Sequence, residues 1–180
     1  RRSSDLLGGT VNGGYALQLN SARKTTLGGV VGGFSALSSI TTNTNGTLVI
    51  QGGSITTSGD QHFAELVQLD NPTLINTRYL TTLNTTSGAV TFDKAIHNAS
   101  SSVPQSLTVV AANGVTFSGE VGQAASVLGD LVINTPAVTT FAKSVDAASL
   151  KTDVSGSGIT AGASGNKVVI QGGSITTSGD

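Results

Sequence analysis

Apolar residues in this chain recur at short, regular spacings and are separated by runs of small polar residues. They form pairs four positions apart, such as Phe92 and Ile96, and an aliphatic run follows each pair. A spacing of four fits one turn of a helix or two residues on the same face of a strand. The flanking segments Val90–Phe92 and Val115–Phe117 are β-branched and aromatic, with turn-forming residues soon after, and this pattern predicts strands.

Helices are not expected. Helix caps and an amphipathic run of about 11–18 residues are both missing. The segments Gly122–Leu128 and Asp146–Leu150 have a weakly helical pattern, but each is too short to form a helix by itself. The pattern therefore predicts an all-β chain of short strands.

The strands recur with a short period. Phe92, Phe117 and Phe141 follow one another at nearly equal intervals, and a threonine precedes each of them. Parallel strands repeated in this way predict a parallel β-helix, or β-solenoid, with coils of roughly 20–25 residues stacked about 4.8 Å apart. Its core would be a column of Phe, Val, Leu and Ile, and seven or eight coils would form a rod of roughly 35–40 Å.

A longer repeat is superimposed on the short one. The segment VIQGGSITTSGD occurs at Val49–Asp60 and again at Val169–Asp180, an offset of 120. Upstream residues align at an offset of 114, as Leu17 does with Leu131, so the second copy has six extra residues near Gly156–Gly165. We therefore expect a long repeat covering about residues 15–60 and 129–180. The whole chain, 1–180, would be one solenoid segment of a longer array.

Composition supports a β-protein and excludes some partners. Hydrophobic residues make up 37% of the chain, so it can form a core, and the abundant Ser, Thr, Asn and Gly suit turns. Charged residues make up 11%, and the net charge is −1, which argues against nucleic acid as a partner. No apolar run approaches the ~20 residues of a membrane span, so we expect no membrane insertion of this segment.

Glycine and histidine motifs are weak candidates for binding sites. Gly52-Gly53 follows a predicted strand but lacks the rest of a phosphate-binding loop, so a tight corner is expected. Ser58–Asp60 lacks the tandem nonapeptides of calcium β-rolls and is expected to be a turn. His62 and His97 lie in different coils without metal-ligand spacing, and we expect both at the surface.

The carboxylates bear on catalysis, because many parallel β-helices are polysaccharide lyases or glycosidases. Glycosidase chemistry needs two carboxyl groups about 5–9.5 Å apart. Glu65 and Asp93 could approach each other from adjacent coils. The acids are otherwise scattered near turns: Asp60, Glu65, Asp70, Asp93, Glu120, Asp130, Asp146 and Asp153. We therefore expect no enzyme, no cofactor, and no catalytic, cofactor-binding or metal-binding residues.

Asparagine and threonine invite further hypotheses. Asparagines that follow aliphatic residues could stack at coil corners as a hydrogen-bonded ladder: Asn20, Asn76, Asn84 and Asn134. The alternative is that they end unrelated turns. Asn45, Asn84 and Asn98 satisfy the N-glycosylation pattern, which arises by chance in a chain rich in Ser and Thr. Thr56-Thr57 and Thr81-Thr82 are expected to be ordinary outward strand residues rather than ice-binding rows.

One stretch has a family resemblance. Thr56–Phe63 (TTSGDQHF), continuing to Val67-Gln-Leu69, resembles the repeats of giant bacterial exoproteins of the filamentous-haemagglutinin type. The resemblance extends from about Tyr15 to Asp180, whereas Arg1–Gly9 matches poorly. It implies a right-handed β-helical shaft that is secreted and held at the bacterial cell surface. The roles it implies are adhesion, biofilm cohesion and contact-dependent toxin delivery.

The resulting hypothesis is a structural shaft segment of a large secreted or cell-surface adhesin, supporting attachment or biofilm cohesion. Its partners would be neighbouring repeats or like chains end to end, with a host-cell or matrix receptor or glycan bound through distal regions. If this segment itself binds a partner, loops such as Gly156–Gly165 would do so. The alternatives are a solenoid subunit of a homopolymeric extracellular filament and a carbohydrate-active β-helix enzyme.

Overall fold

The computed structural model describes residues 4–75, 78–100, 103–123, 125–152 and 167–178. Within these ranges the secondary structure consists of strands, with no helix, so the expectation of an all-β chain is confirmed. The weakly helical segment Asp146–Leu150 belongs to a strand. The strands are β1 Ser4–Leu7, β2 Ala16–Leu19, β3 Lys24–Leu27, β4 Ser39–Thr42, β5 Thr47–Ile50, β6 Ser54–Thr57, β7 Gln61–Phe63, β8 Leu66–Leu69, β9 Leu74–Ile75, β10 Arg78–Thr85, β11 Val90–Phe92, β12 Ile96–Asn98, β13 Gln105–Ala111, β14 Val115–Phe117, β15 Leu128–Asn134, β16 Val138–Phe141, β17 Val145–Thr152, β18 Lys167–Ile170 and β19 Ile175–Thr177.

The strands form three parallel sheets. Sheet 1 has the order β1-β3-β5-β8-β12, sheet 2 the order β6-β10-β13-β15-β17-β19, and sheet 3 the order β2-β4-β7-β11-β14-β16-β18. The short strand β9 pairs antiparallel with β10. From β5 to β14 the chain passes through sheets 1, 2 and 3 in turn, and isolated bridges such as Val11–Val31 and Val121–Val145 continue the pattern where a sheet has no strand. We call each passage from sheet 1 to sheet 3 a layer.

The pairing register shows that the layers differ in length. Val90 pairs with Val115, which pairs with Thr139, so two successive layers are nearly equal, as the spacing of the phenylalanines predicts. The step from Leu48 to Val67 is shorter, and the step from Val67 to Ile96 is longer. The lengths therefore vary more than the sequence periodicity predicts. The longest of these steps contains the β9–β10 hairpin, an insertion that the periodicity did not reveal.

A column of phenylalanine rings runs through the core. Phe63, Phe92, Phe117 and Phe141 are each at most 1% exposed, and their registers place one directly above another. The ring centroids are 5.2, 5.0 and 5.2 Å apart, with interplanar angles of 21°, 3° and 6°. Stacked aromatic pairs contribute about 0.5–1.5 kcal/mol beyond the burial of their apolar surface. The expected column of stacked core residues is confirmed.

The two identical twelve-residue segments lie on different sheets. In the first copy, Ile50 lies in β5 of sheet 1 and Ile55 in β6 of sheet 2. In the second copy, Ile170 lies in β18 of sheet 3. Ile175 pairs with Val145, the first residue of β17. Val145 in turn belongs to the row that runs through Val121 to Ile96 of sheet 1. The long repeat is therefore not a whole number of layers.

The structure explains how one sequence serves two corners. In both copies a strand is followed by two glycines, and the second glycine has a positive φ, 75° at Gly53 and 79° at Gly173. This left-handed backbone is strained for residues with a Cβ atom. Since both corners have this geometry, the same strand–Gly-Gly–strand segment fits either position. The six extra residues near Gly156–Gly165 lie outside the described residues.

Close backbone contact explains the first glycine of the first copy. A Cβ atom on Gly52 would lie 2.0 Å from the carbonyl oxygen of Gly29, and one on Gly29 would lie 2.4 Å from that of Gly9. Successive layers therefore meet at this corner through a column of glycines. We expect Gly52→Ala to lower the free energy of unfolding by about 1–3 kcal/mol, because the layers must separate locally.

Chemical denaturation of Gly52→Ala beside Gly14→Ala measures this effect. A Cβ on Gly14 would meet no atom within 4 Å, so that variant controls for the general effect of replacing glycine. Equal stabilities of the two variants would contradict close packing at the glycine corner.

Candidate functional site

Charge is concentrated on one side of the layers. The connections from sheet 3 to sheet 1 stack on one another, as shown by backbone hydrogen bonds such as that from Thr47 N to Arg23 O. We call these connections the charged ridge; they are residues 20–23, 43–46, 64–65, 93–95, 118–120 and 142–144. The ionisable residues on the ridge or at its margin are Arg23, Lys24, Glu65, Asp93, Lys94, Glu120 and Lys143.

Glu65 is the one ionisable residue of this ridge that is buried. Its side chain is 1% exposed, and neither carboxyl oxygen has a hydrogen-bond partner. It lies beneath the turn at Gly46, where a Cβ atom would come within 2.8 Å of Glu65 Oε2. Burial raises the pKa of Glu65 from 4.5 to about 7, while the charge of Lys94 and the nearby Thr42 hydroxyl act in the opposite direction.

Asp93 pairs with a histidine rather than with Glu65. The Nε2 atom of His62 lies 2.8 Å from Asp93 Oδ2, and the two side chains are 43% and 41% exposed. The two residues lie on adjacent layers, since His62 pairs in register with Thr91. Asp93 therefore bonds to His62 at the solvent-exposed surface, whereas the Glu65 carboxyl is buried without a hydrogen-bond partner. Exposed pairs of this kind contribute little to stability.

The remaining acids lie far apart along the stack, and several of them bind across layers. Gln51 donates to Asp70 Oδ2 at 2.8 Å, and the Ser149 hydroxyl donates to Asp130 Oδ1 at 2.7 Å. Asp60 Oδ1 accepts the Ala89 backbone N–H at 2.8 Å. In the described part of the chain, no three His, Asp or Glu residues are grouped so as to hold a metal ion. Asp153 lies outside that part.

The glycine and histidine motifs fall at corners and on strands. Gly52-Gly53 leads into strand β6 rather than a helix, and its Gly52 N–H is already bonded to Leu27 O. It lines a shallow, open pocket together with Val30, Ser54, Asn71, Thr73 and Thr82. Ser58–Asp60 joins β6 to β7. His97 lies on β12, with Nδ1 2.8 Å from the carbonyl oxygen of Asn98.

The asparagines expected at stacked corners do not form a ladder with one another. Asn84 and Asn134 share one row of sheet 2, but both are paired with Val110, which lies between them. Asn20 follows a strand of sheet 3, and Asn76 lies outside the described residues.

Two other asparagines are buried, and sequence reasoning missed this role. Asn71 donates to Leu80 O at 2.7 Å, and its N–H donates to Gln105 Oε1. Asn98 accepts from Gln105 N at 3.0 Å and donates to Val127 O. These bonds join the connections from sheet 1 to sheet 2 in successive layers. The sequence did not distinguish Asn71 and Asn98 from Asn84, because an isolated Asn near a strand gives no sign of whether its side chain is buried.

Loss of the Asn98 amide is expected to destabilise the protein. Asn98→Ala leaves the buried Gln105 N–H and Val127 carbonyl without these partners, at a cost of about 1–3 kcal/mol. Thermal unfolding of Asn98→Ala should show a lower midpoint than that of Asn45→Ala, since Asn45 is exposed. If the midpoints coincide, the Asn98 bonds do not hold the layers together.

The threonine pairs also differ in their surroundings. Thr57 and Thr81 are buried, and Thr57 pairs with Thr85 rather than with Thr81 or Thr82. Thr57 Oγ1 and Thr85 Oγ1 both lie 2.6 Å from Gly59 O, so the two hydroxyls meet at the turn after β6. The threonines therefore serve the packing of the corner rather than a flat outward row.

Comparisons with known proteins give no further information. No protein-family model, curated protein or solved structure matches this chain. Among the described residues, no helix has the length and apolarity needed to cross a membrane.

Proposed function

We propose that the chain is a right-handed parallel β-helix that forms a shaft segment of a large secreted or cell-surface bacterial adhesin. The observation that carries the proposal is the continuous core, in which one inward row runs in register through all seven strands of sheet 3, from Leu17 to Val168. Each layer packs on its neighbours, so rigidity extends along the stack. The right hand is supported by the strong preference for right-handed connections between parallel strands.

The polar groups support a structural role. Asp60 and Asp130 accept hydrogen bonds from the next layer, and Asn71 and Asn98 bind the connections of neighbouring layers. These side chains therefore add lateral cohesion to the stack. Export to the cell surface is supported by the resemblance of Thr56–Leu69 to the repeats of giant exoproteins.

Surface labelling tests the adhesin proposal. Antibodies raised against the chain are applied to intact and to permeabilised cells of the native organism. We expect equal labelling of both, with label extending away from the envelope in immunogold images. Label that appears only after permeabilisation would overturn the proposal. Antibodies against a cytoplasmic enzyme provide the control for intact envelopes.

A homopolymeric filament is the second candidate, because the in-register rows that join the layers of one chain can also join like chains. Asp5 opposes head-to-tail stacking of like chains, because it shares a register row with the apolar residue Ile175 and would bring a carboxylate against it. Sedimentation velocity over a concentration series distinguishes a filament from a shaft segment. The sedimentation coefficient of a filament rises with protein concentration, and that of a shaft segment does not.

A further inference from the structure

Two aromatic side chains project into solvent from neighbouring layers. The chain has five Phe, two Tyr and no Trp, and four of the phenylalanines form the core column. Of the remaining three aromatic residues, Phe34 is 97% exposed and Tyr15 is 83% exposed. Both lie on connections from sheet 2 to sheet 3, in successive layers. Large exposed aromatic side chains grouped on one surface commonly mark an interaction site.

Hydrogen bonds hold the loops that carry these rings. The Asn12 side chain accepts from the backbone N–H groups of Phe34 at 2.9 Å and Ser35 at 3.3 Å. Ser38 N donates to Tyr15 O at 3.1 Å, and Gly13 N donates to Ser35 O at 3.2 Å. The loops are therefore tied to each other across layers. A partner that binds the rings loses little entropy in ordering them.

The space around the two rings is open. Phe34 is 97% exposed, and Gly14 directly precedes Tyr15. A Cβ atom on Gly14 would meet nothing within 4 Å, so the space beside Tyr15 is accessible. The ring faces can thus be reached by a flat ligand.

The surface around the rings carries little charge. Residues 6–22 and 25–59 contain no Asp, Glu, Lys or Arg. The connections from sheet 2 to sheet 3 stack above Tyr15 as a neutral ridge, which we define as residues 12–15, 32–38, 58–60, 86–89, 112–114 and 135–137. Its outward side chains include Ser58, Ser87 and Asn113, and Asp60 is the one ionisable side chain with a charge at neutral pH. This side therefore contrasts with the charged ridge.

The chemistry of the neutral ridge selects one class of ligand. A nucleic acid or an anionic glycan needs Lys or Arg to neutralise its charge, and none is present on this ridge. The apolar C–H face of a pyranose ring stacks on the electron-rich face of an aromatic ring. Its hydroxyl groups can bond to neutral Ser and Asn side chains. A neutral sugar polymer satisfies both features.

We propose that Tyr15 and Phe34 form a binding site for a neutral polysaccharide that lies against the neutral ridge. This goes beyond a shaft, which needs no ligand. Two stacking rings on adjacent layers would hold successive sugars of one chain. Binding would then depend on both rings and be insensitive to salt, because no ion pair contributes.

Affinity electrophoresis tests the site with defined probes. Native gels contain hydroxyethylcellulose, dextran, galactomannan or xylan as neutral polysaccharides, and heparin or alginate as anionic ones. We expect at least one neutral polysaccharide to retard the full chain and the anionic ones to leave it unretarded. The double variant Tyr15→Ala/Phe34→Ala should weaken binding about tenfold or more. Circular dichroism and the thermal midpoint should stay unchanged, since both rings are exposed.

Leu74→Ala is the matched control, because Leu74 is a 56% exposed apolar residue outside the neutral ridge. It should keep full retardation. The proposal is overturned if no neutral polysaccharide retards the chain, if only anionic ones do, or if the double variant binds as well as the wild type. Loss of self-association in the double variant without any glycan binding would overturn it too, and would make the patch an interface between copies. None of these outcomes affects the surface-labelling test of the shaft.

Discussion

Replacing Phe92 by alanine is expected to lower the free energy of unfolding by about 3–5 kcal/mol. Phe92 is fully buried and stacks on two rings, Phe63 at 5.2 Å and Phe117 at 5.0 Å between centroids. The variant loses the transfer of the ring from water, leaves a cavity, and removes both stacking contacts. Because every layer rests on the next, a gap in the middle of the column weakens the layers on both sides. Urea denaturation followed by circular dichroism measures the loss.

Phe34→Ala is the matched control, since it makes the same chemical change at a side chain that is 97% exposed. Surface substitutions usually change stability by less than about 0.5 kcal/mol. Similar losses for Phe34→Ala and Phe92→Ala would contradict the phenylalanine column. A double-mutant cycle between Phe92 and Phe117 should further show a coupling energy of about 0.5–1.5 kcal/mol.

Replacing Glu65 by glutamine is expected to raise the free energy of unfolding at pH 8 by about 3 kcal/mol. It should also remove the part of the pH dependence of that free energy that Glu65 causes between pH 4.5 and 7. The pKa of Glu65 is raised from 4.5 to about 7 in the folded protein, and each pKa unit corresponds to about 1.4 kcal/mol. Between pH 4.5 and about 7, the Glu65 carboxyl is protonated in the folded state and ionised in the unfolded state. The contribution of Glu65 to stability is therefore greatest below pH 4.5, falls as the pH rises, and levels off above pH 7.

Chemical denaturation of the wild type and Glu65→Gln at several pH values between 4 and 8 measures this difference. Glu120→Gln removes an exposed carboxylate from the same ridge and should leave the wild-type pH dependence in place. Wild-type stability that rises with pH over this range would refute a buried, protonated Glu65. Lys94→Met should extend the fall to higher pH, because the positive charge of Lys94 favours the ionised carboxylate and its loss raises the pKa of Glu65 further.

Local sequence was sufficient to predict the strands and the phenylalanine column. The evenly spaced Thr-Phe pairs place Phe92, Phe117 and Phe141 on one row, and the structure confirms the register. Such a prediction succeeds because a strand has a fixed period of two and parallel layers repeat the same row. The β9–β10 hairpin was not predicted. It lengthens one layer but leaves the rows of core residues on either side unchanged, so the spacing of those rows gave no sign of it.

Side chains at the corners could not be assigned from the sequence. Glu65 reads as an ordinary turn residue, yet the turn at Gly46 covers it. The bond between Asp93 and His62 was not predicted either, because register at a corner depends on the lengths of two connections. Asn98 and Asn84 both lie in strands, but Asn98 is buried and bonds to Gln105 and Val127.

The sequence by itself determined the all-β class, the short period and the composition of the core, because apolar spacing dictates which face of a strand is buried. The tertiary structure alone decided which sheet each copy of VIQGGSITTSGD joins. The segment specifies a strand, a glycine corner and a second strand, and two different corners of the fold accept it. Its position is set by the cumulative length of the layers before it, which places Ile50 in sheet 1 and Ile170 in sheet 3.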